Sequence, residues 1–436
     1  SYWLNKWQPK YVGISGTTHT RFESFRLASE TKRFNPEIVV IYGGVHATFT
    51  ASDTLIHIKD IDYIVRGEGE EILPELIDAL NGKKNVDTVK GISYRTGEGI
   101  KENPAAPRVE PLDGLPRPAY HLLDMKKYSL NMEFVHKKGI SLITSRGCLA
   151  RCSFCSASRM FNHRVTVHSA SRILDEIDFL FDNYGFEGVK IFDSTLTMLR
   201  SHIEGLCDEI LRRKRSFPWE CEIRVGTVDR PLLEKMKEAG CYYVNFGVES
   251  ASQKVLNLMR KGITVEKAEE LLNFCSEVGL KTKVFFSFGH IGENMGDVRK
   301  TFHFIDRYRD KITTLASGAG VRIYPGTYLE EYARKNGLLP EDFSWSMQFA
   351  DKRARRILQS EFVPLLIQPQ LGFHELEGIA LEIYRRRFSG WKGIRRGLSK
   401  IHDREKWGKL FQLLKIKLGR IFVKGGEQCE NTARRI

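Results

Sequence analysis

Short runs of apolar and β-branched residues alternate with segments of helical periodicity over the first hundred residues. The pattern predicts strands at residues 11–15, 38–41 and 61–65, and helices at residues 21–34 and 73–80. Continuous apolar strands separated by helices indicate a parallel, doubly wound sheet, with helices on both faces. The predicted fold class is therefore α/β, and the chain begins with a Rossmann-like parallel sheet.

A polar or glycine-rich turn follows each of these three strands. In open parallel sheets, ligands bind beyond the carboxyl ends of the strands. One glycine at such a point often only relieves the backbone, but three such turns in succession favour a ligand crevice. The candidate binding residues in these turns are Ser15, Thr17, Gly43, Gly44, His46, Gly67 and Glu68.

A second series of alternating strands and helices begins at residue 139. Predicted helices at residues 171–184, 229–239 and 265–278 separate some of its strands. Six strands at this spacing indicate a partial (β/α)6 barrel, in which the chemistry lies at the carboxyl ends of the strands. The predicted strands are residues 140–145, 188–193, 219–224, 242–248, 281–288 and 314–324.

Composition shifts divide the chain into four predicted parts. Residues 1–102 form the first sheet domain, and the proline-rich residues 103–138 form a linker. Residues 139–336 form the barrel. Residues 337–436 form a small, mainly helical region that is rich in basic residues.

The positive charge is concentrated at the carboxyl terminus. Residues 351–436 contain 20 Lys and Arg against 9 Asp and Glu, so they carry most of the net charge of +14. This asymmetry predicts that the tail meets an anionic surface. Residues 407–418 are amphipathic, and they form either an interfacial membrane helix or a helix packed on the barrel.

The predicted location is the cytoplasm, with peripheral membrane contact through the basic tail. No apolar run reaches the eighteen or so residues that would span a bilayer. The eight cysteines, without a signal peptide, indicate a reducing compartment. The chain begins at Ser1 inside what looks like an ongoing domain, so we expect it to be a fragment.

Three cysteines directly after the first barrel strand carry the most specific chemistry. Cys148, Cys152 and Cys155 have the spacing Cys-x3-Cys-x2-Cys. Four thiolates would complete an iron–sulfur cluster, whereas three leave one iron with an open coordination position. An open position allows a metal centre to bind a reactant, so a redox-active cluster is the favoured interpretation.

Two other interpretations of the cysteines are weaker. A structural zinc site needs a fourth ligand, and His163, His168 and Cys207 lack the usual pairing. Disulfides are disfavoured in a reducing compartment. The remaining cysteines follow no ligand spacing and are interpreted as small buried hydrophobes: Cys207, Cys221, Cys241, Cys275 and Cys429.

From about residue 11 to about residue 327 the chain resembles the cobalamin-binding radical S-adenosylmethionine (SAM) enzymes. The resemblance rests most on the cysteine motif, with the aromatic Phe154 before its last cysteine. It implies a [4Fe–4S] cluster on the three thiolates, with the SAM amino and carboxylate groups on the fourth iron. One electron from the cluster then releases methionine and a 5′-deoxyadenosyl radical.

The resemblance also implies SAM contacts at the ends of later barrel strands. These candidates are Asp193, Arg224, Glu249 and Ser250, together with Phe154. The alternative for the charged members is an ion network at the barrel mouth, because such networks also collect at functional sites.

The amino-terminal domain resembles the cobalamin module of the same family. It lacks the sequence Asp-x-His-x-x-Gly, so the resemblance implies cobalamin held by the three turns without a marked lower histidine ligand. His46 is a candidate cobalt ligand, although a turn histidine more often serves as a hydrogen-bonding group. The family's module usually has one or two strand–helix units before residues 11–15, so we expect a truncated sheet.

The implied function is a radical SAM enzyme, specifically a cobalamin-dependent methyltransferase acting on unactivated carbon of a secondary metabolite or lipid. A reductant such as flavodoxin or ferredoxin would supply electrons. The alternative within the family is a cyclase or rearranging enzyme without methyl transfer. A protein of another class, which binds or modifies RNA through the basic tail, is disfavoured because no RNA-binding module is recognised. A non-catalytic protein that binds cobalamin or zinc is the third hypothesis.

Overall fold

The computed structural model describes residues 2–356 and 358–388. The chain divides into two compact units, residues 1–380 and 381–436, and both large sheets lie in the first unit. The amphipathic segment 407–418 and Cys429 lie outside the described residues. The predicted divisions within the first unit stay predictions.

The amino-terminal sheet has five strands in sequential order, β1 to β5. The first three are parallel, as predicted, whereas the last two are antiparallel and extend the sheet beyond the prediction. The strands are β1 Tyr11–Ser15, β2 Val39–Gly43, β3 Tyr63–Val65, β4 Ile92–Thr96 and β5 Gly99–Glu102. The helices of this region are α1 Tyr2–Trp7, α2 Arg21–Phe34, α3 Val45–Phe49, α4 Ala51–His57 and α5 Gly69–Leu80.

Helices cover both faces of this sheet, because alternate strand residues point to opposite sides. On one face, Ile14 and Val40 pack with Phe25 of α2 and Leu55 of α4. On the other, residues that include Ile41 and Val65 pack with α5. The strand sides that face the helices are thus apolar on both faces, as the continuous apolar runs predict.

The second sheet has seven strands and forms the partial barrel. Six of them are parallel, and the short β6 pairs antiparallel with β7 at one edge. The strand order is β14-β13-β12-β11-β10-β7-β6. These strands are β6 Leu130–Asn131, β7 Lys138–Leu142, β10 Gly188–Ile191, β11 Trp219–Glu222, β12 Cys241–Glu249, β13 Lys281–Phe288 and β14 Thr314–Ala319.

Helices connect the barrel strands, and a separate two-stranded ribbon follows β7. The ribbon consists of β8 Ser145–Arg146 and β9 Thr166–Val167. The helices are α6 Ala157–Met160, α7 Ala170–Tyr184, α8 Arg200–Arg212, α9 Arg230–Glu238, α10 Gln253–Leu258, α11 Val265–Val278, α12 Met295–Arg307, α13 Tyr328–Lys335, α14 Lys352–Arg356 and α15 Phe373–Phe388.

Most predicted elements of the barrel are confirmed to within a few residues, and local capping explains several starts. Ser169, Asp229 and Thr264 each accept a backbone N–H at the start of a helix. The last strand ends at Ala319 rather than at 324. Beyond it, Arg322 leaves the sheet and bridges Leu365 instead.

Residues that follow the barrel strands pack against earlier parts of the first unit. Leu339 and Leu366 lie in one apolar cluster with Ile323 and Leu329. The buried guanidinium of Arg21 donates to the carbonyl oxygens of Trp345 and Phe362 at 2.9 and 2.7 Å. The segments at residues 339–345 and 362–366 therefore contact both the amino-terminal domain and the barrel. Within the described residues, no helix is long and apolar enough to cross a membrane.

Candidate active site

The cysteine loop lies at the carboxyl end of the first barrel strand, between the two strands of the ribbon. Gly147 opens the loop with a φ of +103°, and a Cβ there would lie 1.9 Å from the Arg164 carbonyl oxygen. Ser153 donates its N–H to Met259 and accepts one from Leu329, both at 2.8 Å. Neighbouring loops thus hold the cysteine loop over the barrel mouth.

All three cysteines line one cavity of about 210 Å³. Cys148 is buried, Cys152 is half-buried and Cys155 faces the opening. Residues from the ends of four barrel strands form the rest of the wall. Besides the cysteines, the lining residues are Ala150, Phe154, Ser158, Ser194, Thr195, Glu222, Ile223, Arg224, Phe246, Gly247, Glu249, Lys261 and Phe285.

The cysteine arrangement fits a cluster rather than a single metal ion. Among the described residues, no three His, Cys, Asp or Glu side chains are placed to hold one metal ion. A [4Fe–4S] cluster does not require such placement, because each cysteine binds a different iron. Three thiols on one cavity, with further polar groups opposite, are the donor set that such a cluster needs.

Two cations compensate the negative charge that three thiolates would bring. Arg224 Nη1 lies 3.7 Å from Cys152 Sγ, and another Arg224 nitrogen donates to the Lys261 carbonyl oxygen. Burial and the neighbouring thiols raise the pKa of Cys155, whereas the Ala157 N–H and the Lys261 ammonium act in the opposite direction. A bound cation would favour the thiolate forms further.

Glu249 and Lys261 form a buried ion pair on the opposite wall. Lys261 Nζ lies 3.0 Å from Glu249 Oε1, and Ser287 donates to Glu249 Oε2 at 2.8 Å. Burial acts to raise the pKa of Glu249, but Lys261 and Ser287 hold it below its usual value. Glu249 has a φ of +68°, where the β12–β13 register shifts, so the backbone turns its carboxylate into the barrel.

His290 extends this network toward the cysteine loop. Its Nε2 lies 2.7 Å from Ser287 Oγ, and its ring meets Phe154 edge-on at 5.3 Å. Burial lowers the pKa of His290 to about 4, so the ring is neutral at pH 7. Phe154, predicted from the motif alone, therefore touches both the cavity and its supporting network.

Asp193 and Ser250 lie behind the cavity wall rather than on it. Asp193 is 2% exposed, and its two carboxylate oxygens accept the N–H and hydroxyl groups of Thr144 and Ser145 at 2.6–3.1 Å. Ser250 is fully buried, and its Oγ lies 3.3 Å from Thr301 Oγ1. Both were predicted to contact SAM. In this structure they support, respectively, the segment leading into the cysteine loop and the end of β12.

Ser194, Thr195, Glu222 and Lys261 are among the cavity residues that were absent from the candidate set. Ser194 and Thr195 directly follow Asp193, and Glu222 is the last residue of β11, two before Arg224, so strand-end position was a usable signal for these three. Lys261 follows α10, and no local spacing marks it. Burial raises the pKa of Glu222, although Lys190 and Lys283 act against that rise.

The three predicted turns of the first sheet meet at one edge. Ser15 pairs with Gly43 in the β1–β2 ladder, and the Gly67 N–H donates to Thr48 Oγ1 at 3.0 Å. Ser15 and Thr17 are exposed. Gly44 has a φ of +95°, and a Cβ there would lie 2.7 Å from the Gly16 carbonyl oxygen. Glycine and hydroxyl residues thus make up this edge of the sheet.

His46 and Glu68 differ from the other turn residues, because neither offers its polar group at this edge. His46 is fully buried, its Nδ1 lies 3.2 Å from Thr18 Oγ1, and its Nε2 has no hydrogen-bond partner. Burial lowers its pKa to about 3. The Glu68 carboxylate is bonded to Arg108 and Arg146. The hydrogen-bonding interpretation of His46 agrees with this geometry.

A second cavity of about 250 Å³ lies between the β3 turn and the cysteine loop. It shares Ser194 with the first cavity. Ile143 and Phe192, which are 62% and 56% exposed, give it an apolar wall. Its other lining residues are Gly67, Glu68, Gly69, Glu70, Ser145, Arg146, Gly147, Met160 and Phe161.

Two family models match the two halves of this architecture. The model of the radical SAM superfamily matches residues 142–305, and that of the B12 binding domain matches residues 4–77. The first range contains the cysteine loop and most of the barrel, and the second contains the three turns.

Individual proteins support the same assignment. An uncharacterised methyltransferase of Pyrococcus horikoshii is 31% identical over 385 residues, which cover 84% of this chain and 81% of that protein. The anaerobic magnesium-protoporphyrin IX monomethyl ester cyclase of Rubrivivax gelatinosus is 28% identical over 302 residues, 68% of this chain and 54% of the cyclase. The radical SAM methyltransferase TsrM from Kitasatospora setae, solved with cobalamin and a [4Fe–4S] cluster, shares the fold, with a TM-score of 0.69 and 21% identity over 87% of this chain and 81% of TsrM.

The fold and the cysteine cavity thus define a radical SAM enzyme with a cobalamin-binding domain. The chain belongs to the radical SAM superfamily, in the group that carries this domain. Its cofactors are a [4Fe–4S] cluster, SAM and cobalamin.

Proposed function

We propose that this enzyme is a cobalamin-dependent methyltransferase that acts on an unactivated carbon of a small molecule. The observation that carries the proposal is the cavity on which three cysteines, Arg224 and Glu249 converge, together with the second cavity, which shares Ser194 with it and reaches Gly67 of the B12-binding domain. The methyltransferase relative, which this chain matches over 84% of its own length, supports the same chemistry. When bound, the cluster and SAM supply a 5′-deoxyadenosyl radical and cobalamin supplies the methyl group.

In this proposal Cys148, Cys152 and Cys155 hold the cluster, and the cavity residues orient SAM. Arg224 lies beside Cys152, so its guanidinium can receive a carboxylate held at the open iron. Glu249 can accept hydrogen bonds from SAM while Lys261 keeps it ionised. Phe154 closes the cavity near His290.

The roles of Asp193 and Ser250 in this proposal are to position other groups. Asp193 holds the residues that lead into the cysteine loop, and Ser250 supports the strand end that carries Glu249. The exposed Ser15 and Thr17 and the half-buried Gly43, Gly44 and Gly67 form the proposed cobalamin edge.

The apolar wall of the second cavity favours a substrate with a substantial hydrocarbon portion, as in a lipid or an apolar secondary metabolite. Ile143 and Phe192 are large apolar side chains exposed at the ends of adjacent strands. Exposed apolar surface in a cavity usually marks a surface that a ligand covers. A low-potential reductant of the flavodoxin or ferredoxin type would deliver electrons to the cluster.

Anaerobic reconstitution tests the central claim. With iron, sulfide, SAM and a low-potential reductant, the wild-type chain should release 5′-deoxyadenosine, and Cys152→Ala should release almost none, because the cluster loses one of three ligands. Cys207→Ala is the matched control, since this buried thiol lies away from the cavity, and it should retain activity. Equal deoxyadenosine release by wild type and Cys152→Ala would refute the proposal.

The mass of the product separates methyl transfer from cyclisation, which the cyclase relative makes the second candidate. Methyl transfer adds one methylene equivalent to the substrate, whereas cyclisation or rearrangement adds no carbon. Deuterium from methyl-labelled SAM should appear in the product only in the first case.

A further inference from the structure

A buried ion network connects the proposed cobalamin edge to the cysteine loop. Glu68 directly follows Gly67 of the β3 turn and precedes α5. Its Oε1 lies 2.8 Å from Arg146 Nη1, and its Oε2 lies 2.5 Å from Arg108 Nε. The Val109 N–H also donates to Oε2, at 3.1 Å. One carboxylate thus joins the β3 turn, the segment at residues 108–109 and the ribbon beside the cysteines.

These three bonds occupy most of the acceptor positions of the Glu68 carboxylate. Its side chain is only 5% exposed. Burial acts to raise the pKa of Glu68, but hydrogen bonds from Arg146 and Arg108 hold it below its usual value, so the group stays ionised. A buried carboxylate with two arginine partners is costly to separate from either of them. The sequence suggested a cobalamin contact for Glu68, but these partners take three of the roughly four acceptor positions of its carboxylate.

Both arginines reach the same small ribbon. Arg146 is the last residue of β8, two residues before Cys148, and it pairs in register with Thr166 of β9. Arg108 donates to Thr166 Oγ1 at 2.8 Å and to the Phe161 carbonyl oxygen at 2.9 Å. The network therefore contacts the ribbon at β8, through Arg146, and at β9, through Arg108 and Thr166. Gly147, directly after Arg146, carries this constraint into the cysteine loop.

We propose that Glu68 is a positioning residue that fixes the β3 turn of the B12-binding domain against the cysteine loop, and thereby sets the separation of the two cofactor sites. The inference rests on the proposed function, because methyl transfer requires both cofactors to address one substrate carbon. Reacting atoms must approach to about 3–3.5 Å, so a loose contact between the two sites would lower productive encounters. The second cavity lies between the two elements that Glu68 joins.

The first test uses the cofactor-free full chain. Hydrogen–deuterium exchange of the segment 143–149 should become about tenfold faster in Glu68→Gln, because the ribbon loses its buried partner. Asp78→Asn is the matched control. It removes a carboxylate from an exposed ion pair on α5, the helix that follows Glu68, and should leave exchange in this segment unchanged.

The second test uses the reconstituted holoenzyme and does not need a substrate. With paramagnetic cob(II)alamin and a reduced cluster both bound, the wild type should show one defined electron spin–spin interaction. In Glu68→Gln the cobalamin and iron contents should match the wild type within twofold, while that interaction should broaden. A residue that only stabilises its own domain would not move this signal.

Arg146→Gln is a second variant that tests the same contact if Glu68→Gln folds poorly. It removes the Glu68–Arg146 bond from the barrel side, together with the bond from Arg146 to Glu70, and it should reproduce the spin–spin broadening. The effect of the double variant should be smaller than the sum of the two single effects, because the Glu68–Arg146 contact is shared by both.

Two results would overturn the proposal. A large loss of cobalamin affinity in Glu68→Gln but not in Arg146→Gln would make Glu68 a direct cobalamin contact. Unchanged exchange and an unchanged spin–spin interaction in both variants would remove the positioning role. Neither readout depends on a methylated product, so failure of the proposed function would appear separately, as absence of methyl transfer with the cofactor geometry intact.

Discussion

At the scale of single residues, the active-site wall depends on Lys261 and Glu249 remaining paired. Their side chains are 9% and 12% exposed, so water screens the pair weakly. A buried ion pair adds little when it is complete, but removing one partner leaves an uncompensated charge in a poorly solvated place. Lys261 therefore maintains the charge state of the cavity as well as lining it.

We expect Lys261→Met to lower the free energy of unfolding of the cluster-free chain by about 3–5 kcal/mol, because Glu249 loses its cation. Urea denaturation measures this. The control is Lys83→Met, which breaks an exposed pair with Asp78 and should cost no more than about 1 kcal/mol. Equal losses in the two variants would contradict a special role for the buried pair.

Stability should depend on pH through His46. Its pKa is about 3 in the folded chain, against 6.5 for an ordinary histidine. Between these values the unfolded chain binds a proton that the folded chain does not, so stability is lost as pH falls below about 6.5. The contribution to the slope is about 1.4 kcal/mol per pH unit.

His46→Asn should remove that slope, because asparagine can replace the Nδ1 hydrogen bond to Thr18 without titrating. Urea denaturation of the cofactor-free chain at pH 5 and pH 7 gives the comparison. The buried His290, whose pKa is also lowered, to about 4, contributes a slope that both proteins keep, so the two slopes should differ by about 1.4 kcal/mol per pH unit. Equal slopes in wild type and His46→Asn would assign the proton uptake to groups other than His46.

The cysteines should separate into reactive and inert sets. Burial raises the pKa of Cys207 and Cys275 to about 12, and that of Cys221 well above its usual value. The thiolate is the reactive form and the reagent must also reach it, so these buried thiols should resist iodoacetamide at pH 8. The half-buried Cys152 and the exposed Cys155 should be alkylated, and Cys155 should react more slowly than an ordinary exposed thiol because its pKa is raised. Mass spectrometry of the folded, cluster-free chain measures the extent of alkylation at each cysteine. Reconstitution with iron and sulfide should protect Cys152 and Cys155 from the reagent.

At the scale of elements, the cysteine loop is shaped by the ribbon that encloses it. Gly147 has a left-handed φ, and the Arg164 carbonyl lies where a Cβ would point. Asp193 secures the other side of the approach, at Thr144 and Ser145. Cysteine spacing alone does not orient three thiols toward one cavity. The backbone on both sides of the motif does.

Gly147→Ala should therefore abolish most cluster incorporation, because the loop must shift to relieve both the clash and the strained φ. Iron per chain after anaerobic reconstitution measures the effect. Gly205→Ala is the matched control, since Gly205 lies inside α8 with open space around its Cβ position. It should incorporate iron normally and gain about 0.5–1 kcal/mol in stability.

At the scale of the whole molecule, a basic tail follows a catalytic body of nearly balanced charge. The charge asymmetry is a property of the sequence, and residues 389–436 lie outside the described structure. A concentration of lysine and arginine predicts attraction to anionic lipid, and salt should screen it.

We expect the full chain to bind vesicles containing phosphatidylserine at low salt and to bind phosphatidylcholine vesicles much more weakly. Sedimentation with vesicles over a salt series checks this, and Lys415→Glu with Lys417→Glu should reduce the binding. Stronger binding to RNA than to anionic vesicles, with a steep salt dependence, would favour the RNA-binding hypothesis instead.

The periodic elements were accessible from the sequence because local rules place them. Helix 265–278, which Thr264 caps, and strand 281–288 match their predicted bounds, because apolar periodicity defines each of them locally. The short antiparallel strands β4 and β5 were missed, because their pairing depends on a hairpin next to β3 rather than on a long apolar run.

The sequence by itself determined the chemistry class of this protein. Three cysteines at a specific spacing, after the first of six βα units, were sufficient to indicate a three-ligand cluster and, by resemblance, SAM and cobalamin. Ligand spacing and apolar periodicity are local properties, and neither depends on contacts with residues that are distant in sequence.

Only the tertiary structure decided which charged groups surround that cluster and which ones brace it. Lys261 enters the cavity from the end of α10, Asp193 turns behind the wall, and Glu68 bonds to Arg108 and Arg146 across 40 and 78 residues of sequence. The physical reason is that a buried carboxylate pairs with the cations that lie near it in the folded chain. These cations are distant in sequence, so no local spacing predicts the pairs.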